Sequence, residues 1–280
     1  MADAAVATTA TGRPPTVAQA YLAIIRSRVA AQASYRASFA VELGSQVLLV
    51  LVEFVEIYVV FHQVDSLGGF DYAEVAVMYG LAVASFGLAD LAVGHVDELP
   101  RYLRAGTFDS FLLRPLSALG QLVTSDFSLR RLGRVGTGLA VLAVALHAAQ
   151  VDWTPARVGL LVVTPVAGAI VFSAVFIATA VIGFWVVEGM EFANAFTYGG
   201  NYLSAFPFTV FGSAIRRFFT FLVPVGFVAY LPSLALLGRD DPLGMPGWVS
   251  WCSLPVSLVA MAAALLLWQV GLRRYVGTGS

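Results

Sequence analysis

Lysine is missing altogether: all 16 basic residues of this 280-residue chain are arginine. That absence removes whole chemistries. A phosphate-binding loop of the G-x-x-x-x-G-K-[ST] type needs its lysine to reach the terminal phosphates, and Schiff-base catalysis needs a lysine amine. The chain by itself is therefore neither a P-loop ATPase nor a Schiff-base enzyme. Cysteine is almost as scarce: Cys252 is the only one, so no internal disulfide can form, and its place in a hydrophobic run reads as a buried, inert thiol. Charge is low too, at 12% of residues against about a quarter in soluble domains. There is no H-E-x-x-H, no G-x-S-x-G and no Cys/His metal spacing. The histidines His62, His95 and His147 fall at the edges of different segments. No catalytic, metal or cofactor site is expected within the chain.

What is present is hydrocarbon. Hydrophobic residues make up 59% of the chain, and the mean hydropathy is +0.83. A helix crossing the lipid core needs about 20 mostly apolar residues, and six stretches qualify: about 39–61, 72–94, 132–150, 158–187, 218–237 and 249–272. The expected fold is all-α, a single membrane domain over 16–280 behind a disordered, uncleaved tail at 1–15. If the N-terminus is cytoplasmic, 14 arginines fall at or near the inner side and only Arg157 and Arg239 outside. By the positive-inside rule both termini are then cytoplasmic. Counting the aromatic stretch from Phe192 to Ala214 as a seventh span would place Arg216, Arg217, Arg273 and Arg274 outside, so it is expected as an interfacial or broken helix on the cytoplasmic side. Before the first span, Val17, Tyr21, Ile24, Ile25 and Val29 recur at helical spacing between Thr16 and Ser34, which reads as an amphipathic helix on the inner membrane surface.

Carboxylates inside spans are costly, about 2.5 to 3.5 kcal/mol each on insertion scales. Glu53 and Glu56 lie three apart on one face of the first span. Either they line a wet path, favouring cationic or polar amphiphilic cargo, or they bond to polar groups of a neighbouring helix. No Arg or His is evident at matching depth in another span, which favours the path. Glu42 and Asp90 lie near helix ends, where a carboxylate reaches water. Pro165, Pro224 and Pro255 fall within spans and suggest kinks. Gly136, Gly138 and Ala140 read as a close-packing face.

The loop at 95–131 begins with His95 and carries Asp97, Glu98, Gly106, Asp109 and Pro115, with Phe111, Leu112 and Leu113 between Asp109 and Arg114. So much apolar and charged surface needs a partner or the membrane to cover it. The string from Gly106 to Pro115 resembles the G-x-x-D-x-x-L-L-R-P signature of ABC-2-type permeases, in a bacterial six-span subgroup. Phe206-Pro207, with Phe where Tyr is expected, and Tyr230-Leu231-Pro232 are further matches. The E-A-A-x-x-x-G loop of importer permeases is not seen. The resemblance implies an exporter in the bacterial inner membrane, a multidrug-efflux type of system, moving a hydrophobic or amphiphilic cargo. It further implies a second permease, ATP and Mg on separate ABC ATPase subunits, and a loop that docks on them through Asp97, Glu98, Gly106, Asp109, Arg114 and Pro115. No nucleic-acid partner is expected. The alternative is an ion-coupled transporter or channel using Glu53, Glu56 and Asp90 without ATP.

Overall fold

The computed structural model describes residues 16–34, 36–185 and 190–275, so the expected tail at 1–15 lies outside the described residues. Apolar runs without β-strand alternation become helices throughout. These are α1 (Val17–Ser34), α2 (Arg36–Phe61), α3 (Tyr72–Val93), α4 (Leu99–Arg104), α5 (Asp109–Leu112), α6 (Ala118–Ser125), α7 (Leu132–Ala148), α8 (Pro155–Val181), α9 (Met190–Ser204), α10 (Ser213–Arg217), α11 (Tyr230–Leu237) and α12 (Ser253–Arg274). Local signals set several boundaries. Asp71 and Glu74 form a reciprocal capping box at the start of α3. Thr154 caps α8 ahead of Pro155, whose missing N–H is no loss at that position. Gly238, at φ 70°, closes α11 in the left-handed conformation.

Among the described residues four helices are long and apolar enough to cross a membrane: Ala37–Phe61, Tyr72–Arg104, Pro155–Phe184 and Ser253–Arg274. A fifth arises only if Ser213–Leu222 and Val225–Leu237, bent by 75°, count as one span. This differs from the straight helix expected over 218–237. Pro224 stands at the break: the chain passes from a π-helical turn at Phe218–Leu222 into a short 3₁₀ turn at Val225–Phe227, because proline cannot continue the backbone ladder. Of the other two prolines, Pro165 lies inside α8. Pro255 falls in the first turn of α12, where helical N–H groups have no partner to lose, so it makes no mid-span kink.

At the centre α3 is buried on nearly all sides from Val75 to Phe86, packed between α7 and α8. Small residues permit that approach. A Cβ on Gly138 would stand 2.7 Å from the Ala84 nitrogen, and one on Gly80 2.7 Å from the Leu142 Cα. Of the expected packing face only Gly138 takes part: Gly136 has nothing within 4 Å, and Ala140 is exposed.

Two ends of the bundle can be told apart by contacts. One carries the 62–71 turn and the other the 95–131 loop. The Thr209 hydroxyl donates to the Gly68 carbonyl at 2.8 Å, and Arg239 donates to the Glu74 carboxylate and to the Gly69 carbonyl. Residues 209 and 239 therefore both sit at the turn end. Tyr198, on α9, reaches Asp97 at the loop end. So α9 runs from the loop end toward the turn end rather than lying flat at the cytoplasmic side as expected. The bent pair then leaves and returns at one end, its aromatic core closed by Phe208 stacked on Tyr230 with ring centroids 5.3 Å apart.

Candidate functional site

The loop between α3 and α7 is folded, and mostly on this chain's own core. A 3₁₀ turn at Gly94–Glu98 leads into α4. Gly106, at φ 66°, follows α4 in a conformation that glycine adopts without strain. Leu99, Leu103, Phe108, Phe111 and Leu122 then pack against Ala174 and Ile177 of α8 and Trp268 of α12. Phe111, expected to need a partner's cover, is thus covered by its own chain. Phe108 is fully buried, edge-on to the rings of Phe111, Phe184 and Tyr275.

The signature residues separate by role. The Tyr275 hydroxyl donates to Asp109 Oδ1 at 2.9 Å. Burial, helped by that carboxylate, raises the Tyr275 pKa. Leu113 is 87% exposed, and Leu112, Arg114 and Pro115 are exposed beside it. The Gln121 amide braces this tip by donating to the carbonyls of Phe111 (2.8 Å) and Leu116 (3.1 Å). Asp97 accepts from Tyr198 at 3.3 Å. Glu98 pairs with Arg101 at 2.9 Å, both well exposed. Gly106, Asp109, Arg114 and Pro115 thus share one small folded unit, while Asp97 and Glu98 lie at its root.

The first helix braces that unit. Tyr21, Ile24, Ile25 and Val29 are half-buried, as their spacing predicts, whereas Val17 is 58% exposed. Tyr21 Oη donates to the Ser117 carbonyl at 3.4 Å. Gln32 donates to the Phe127 carbonyl (2.6 Å) and accepts from the Leu129 N–H (2.8 Å). Tyr275, Tyr198, Gln121 and Gln32 are residues that sequence reasoning missed, and no local pattern marks them.

Three carboxylates of the spans, Glu53, Asp90 and Glu42, have arginine partners. Glu53 lies 3.4 Å from Arg134 of α7 and accepts from Tyr79 at 3.3 Å. Arg134 also rests 4.9 Å from the centre of the Phe86 ring, a cation–π contact. Asp90 pairs with Arg131 at 3.3 Å and is only 16% exposed, so it is not solvated as expected. Glu42 pairs with Arg130 at 3.3 Å. The expectation that Glu53 has no basic partner is thereby corrected: Arg130 and Arg131, in the turn just before α7, pair with Glu42 and Asp90, and Arg134 of α7 pairs with Glu53. Glu56 remains exposed on α2, so the structure does not bring it together with Glu53 in one paired site.

Comparison with known proteins agrees with this architecture. No curated protein and no solved structure matches. A family model described as ABC-2 family transporter protein matches residues 47–279, from the first long helix to beyond the Tyr275 contact. On that match and on its apolar helical bundle, the chain belongs to the ABC-2 family of transporter proteins, as a membrane-spanning transport subunit rather than a catalyst.

Proposed function

We propose that this chain is the permease of an ATP-driven ABC exporter, working with separate ABC ATPase subunits and a second permease to move a hydrophobic or amphiphilic cargo out of a bacterial cell. The observation that carries the docking role is the exposed Leu112-Leu113-Arg114-Pro115 tip, held rigid by Gln121 on a self-covered base. An apolar and cationic point on a fixed mount suits a complementary pocket on a partner.

The contacts support six crossings, by α2, α3, α7, α8, α9 and α12, with the bent pair re-entrant from the turn end. In that arrangement α7 and α9, at 17 and 15 residues, are short helices of about 26 and 23 Å. Among the described residues 11 arginines lie at the loop end and four (Arg157, Arg216, Arg217 and Arg239) at the turn end. The majority favours a cytoplasmic loop end with both termini inside, although Arg216 and Arg217 change sides relative to the expected topology. The exposed apolar stripe of α2, with Leu48, Val52, Val55 and Val59, is surface for lipid or for the second permease. The ion-coupled alternative is less well supported, because Glu53 and Asp90 each sit beside an arginine.

Coexpression with a P-loop ATPase of the ABC type, sought among the genes neighbouring this one, tests the reading. The wild-type pair should copurify, and ATP added to inverted vesicles should drive uptake of a fluorescent lipophilic cation. Leu113→Asp with Arg114→Glu should abolish copurification. Unchanged assembly and uptake in that variant would remove the docking role from the tip.

A further inference from the structure

Resting on the permease reading, we infer that Tyr275 is the residue that ties the loop to α12, so that movement of the tip is delivered to the cargo-facing helices through α12. Three elements meet at this residue. From the loop come Asp109, bonded to the Tyr275 hydroxyl at 2.9 Å, and Phe108, whose ring meets the Tyr275 ring edge-on at 5.3 Å. From the end of α8 comes Phe184, 5.7 Å from Tyr275 and 5.4 Å from Trp268. From α12 itself comes Gly271, where an added Cβ would stand 2.7 Å from the Phe184 ring, so backbone and ring are in direct contact.

Phe108 is fully buried and Trp268 is 5% exposed. A packed aromatic cluster of this kind transmits displacement rather than absorbing it. The hydrogen bond adds direction, since a rotating α5 must carry Asp109 and with it the end of α12. Asp109 is therefore a positioning residue that acts through Tyr275, not a docking charge for the ATPase. The two ideas differ in what Asn would do at that position: its carbonyl oxygen still accepts from the tyrosine hydroxyl, but its charge is gone.

At its opposite end α12 begins beside Cys252, about 33 Å away along a helix of 22 residues. Cys252 is partly exposed. It lines an apolar cavity of about 770 Å³ between α12 and the bent pair, with Phe221, Phe227, Met245 and Trp248. Movement of α12 alters that wall, and the native thiol reports it.

The experiment uses the full complex with its ATPase in nanodiscs, and follows the rate at which a water-soluble maleimide labels Cys252, with and without ATP plus vanadate. Wild type and Asp109→Asn should show a nucleotide-dependent change in rate. Tyr275→Phe and Asp109→Leu should each shrink that change about threefold or more, the equivalent of one lost hydrogen bond, with ATPase copurification unaltered and melting temperature lowered by no more than a few degrees. The double variant should be no worse than either single one. A wild-type complex that assembles but gives no nucleotide-dependent change, or Tyr275→Phe behaving as wild type, overturns the inference while leaving the permease reading intact. Loss of the response in Asp109→Asn but not in Tyr275→Phe returns Asp109 to a docking charge and overturns it equally. Failure of the wild-type chain to bind the ATPase refutes the permease reading itself.

Discussion

Neutralising one member of the Glu53–Arg134 pair should cost more than neutralising both in proportion. The Arg134 side chain is 13% exposed and that of Glu53 32%, with 3.4 Å between Nη2 and the carboxylate. At that separation an effective dielectric near 20 gives a gross attraction of about 5 kcal/mol, most of it offset by the desolvation of both ions. Removing one partner is a different matter. Glu53→Gln leaves a buried guanidinium whose Nε already has no partner, with an uncharged amide oxygen, the Phe86 ring face at 4.9 Å and the charge of Asp90 in place of its own carboxylate. Loss of one partner from a buried pair costs about 3 to 5 kcal/mol, and the partial exposure of Glu53 puts this pair near the lower bound. We expect Glu53→Gln and Arg134→Gln each to destabilise by about 2 to 3 kcal/mol, and the double variant to fall short of their sum by about 1 to 2 kcal/mol. Tyr79→Phe is the control, since it removes the hydroxyl that donates to the Val50 carbonyl at 2.7 Å and to Glu53 at 3.3 Å without touching a charge. Unfolding free energies of the four proteins, measured by denaturant titration in mixed micelles, close the cycle. Additivity within about 0.5 kcal/mol would refute the reasoning, because two residues that do not interact must add.

Three further outcomes follow from the geometry. Gly138→Val should destabilise by about 1 to 3 kcal/mol through overpacking against the Ala84 backbone, whereas Gly136→Val, facing open space, should stay within about 0.5 kcal/mol; equal effects would refute the assigned α3–α7 contact. In a Cys252→Ser background, cysteines at Gly212 and Asp240 should both be labelled by a membrane-impermeant maleimide applied to intact cells, and labelling of Asp240→Cys alone would contradict a re-entrant bent pair. Glu56→Gln, which leaves the Arg134 pair untouched, should lower cellular protection against cationic but not neutral amphiphiles by several-fold, the worth of an exposed charge at about 1 kcal/mol; an equal change for both classes would take Glu56 out of the cargo path.

By itself the sequence determined the solvent, the class and the family of this protein. Apolar residues at 59% and the absence of lysine are properties of each segment alone, so they report which stretches prefer lipid and which chemistries the chain lacks. Helix positions were legible for the same reason: the stretches expected at 39–61, 72–94 and 132–150 became α2, α3 and α7 with ends shifted by a few residues. The signature from Gly106 to Pro115 was legible because its residues are contiguous. Only the tertiary structure decided what those residues meet. Asp109 and Tyr275 lie 166 positions apart, and Glu53 and Arg134 lie 81 apart, so no local pattern pairs them. Depth along a helix axis also depends on how α7 is staggered against α2, which is why Arg134 read as an end residue and proved to be the partner of Glu53. The path of residues 190 to 239 was misread for a related reason. Hydropathy measures preference for lipid but not direction through it, and the side to which the bent pair returns is set by the bonds of Thr209 and Arg239 to the 68–74 segment.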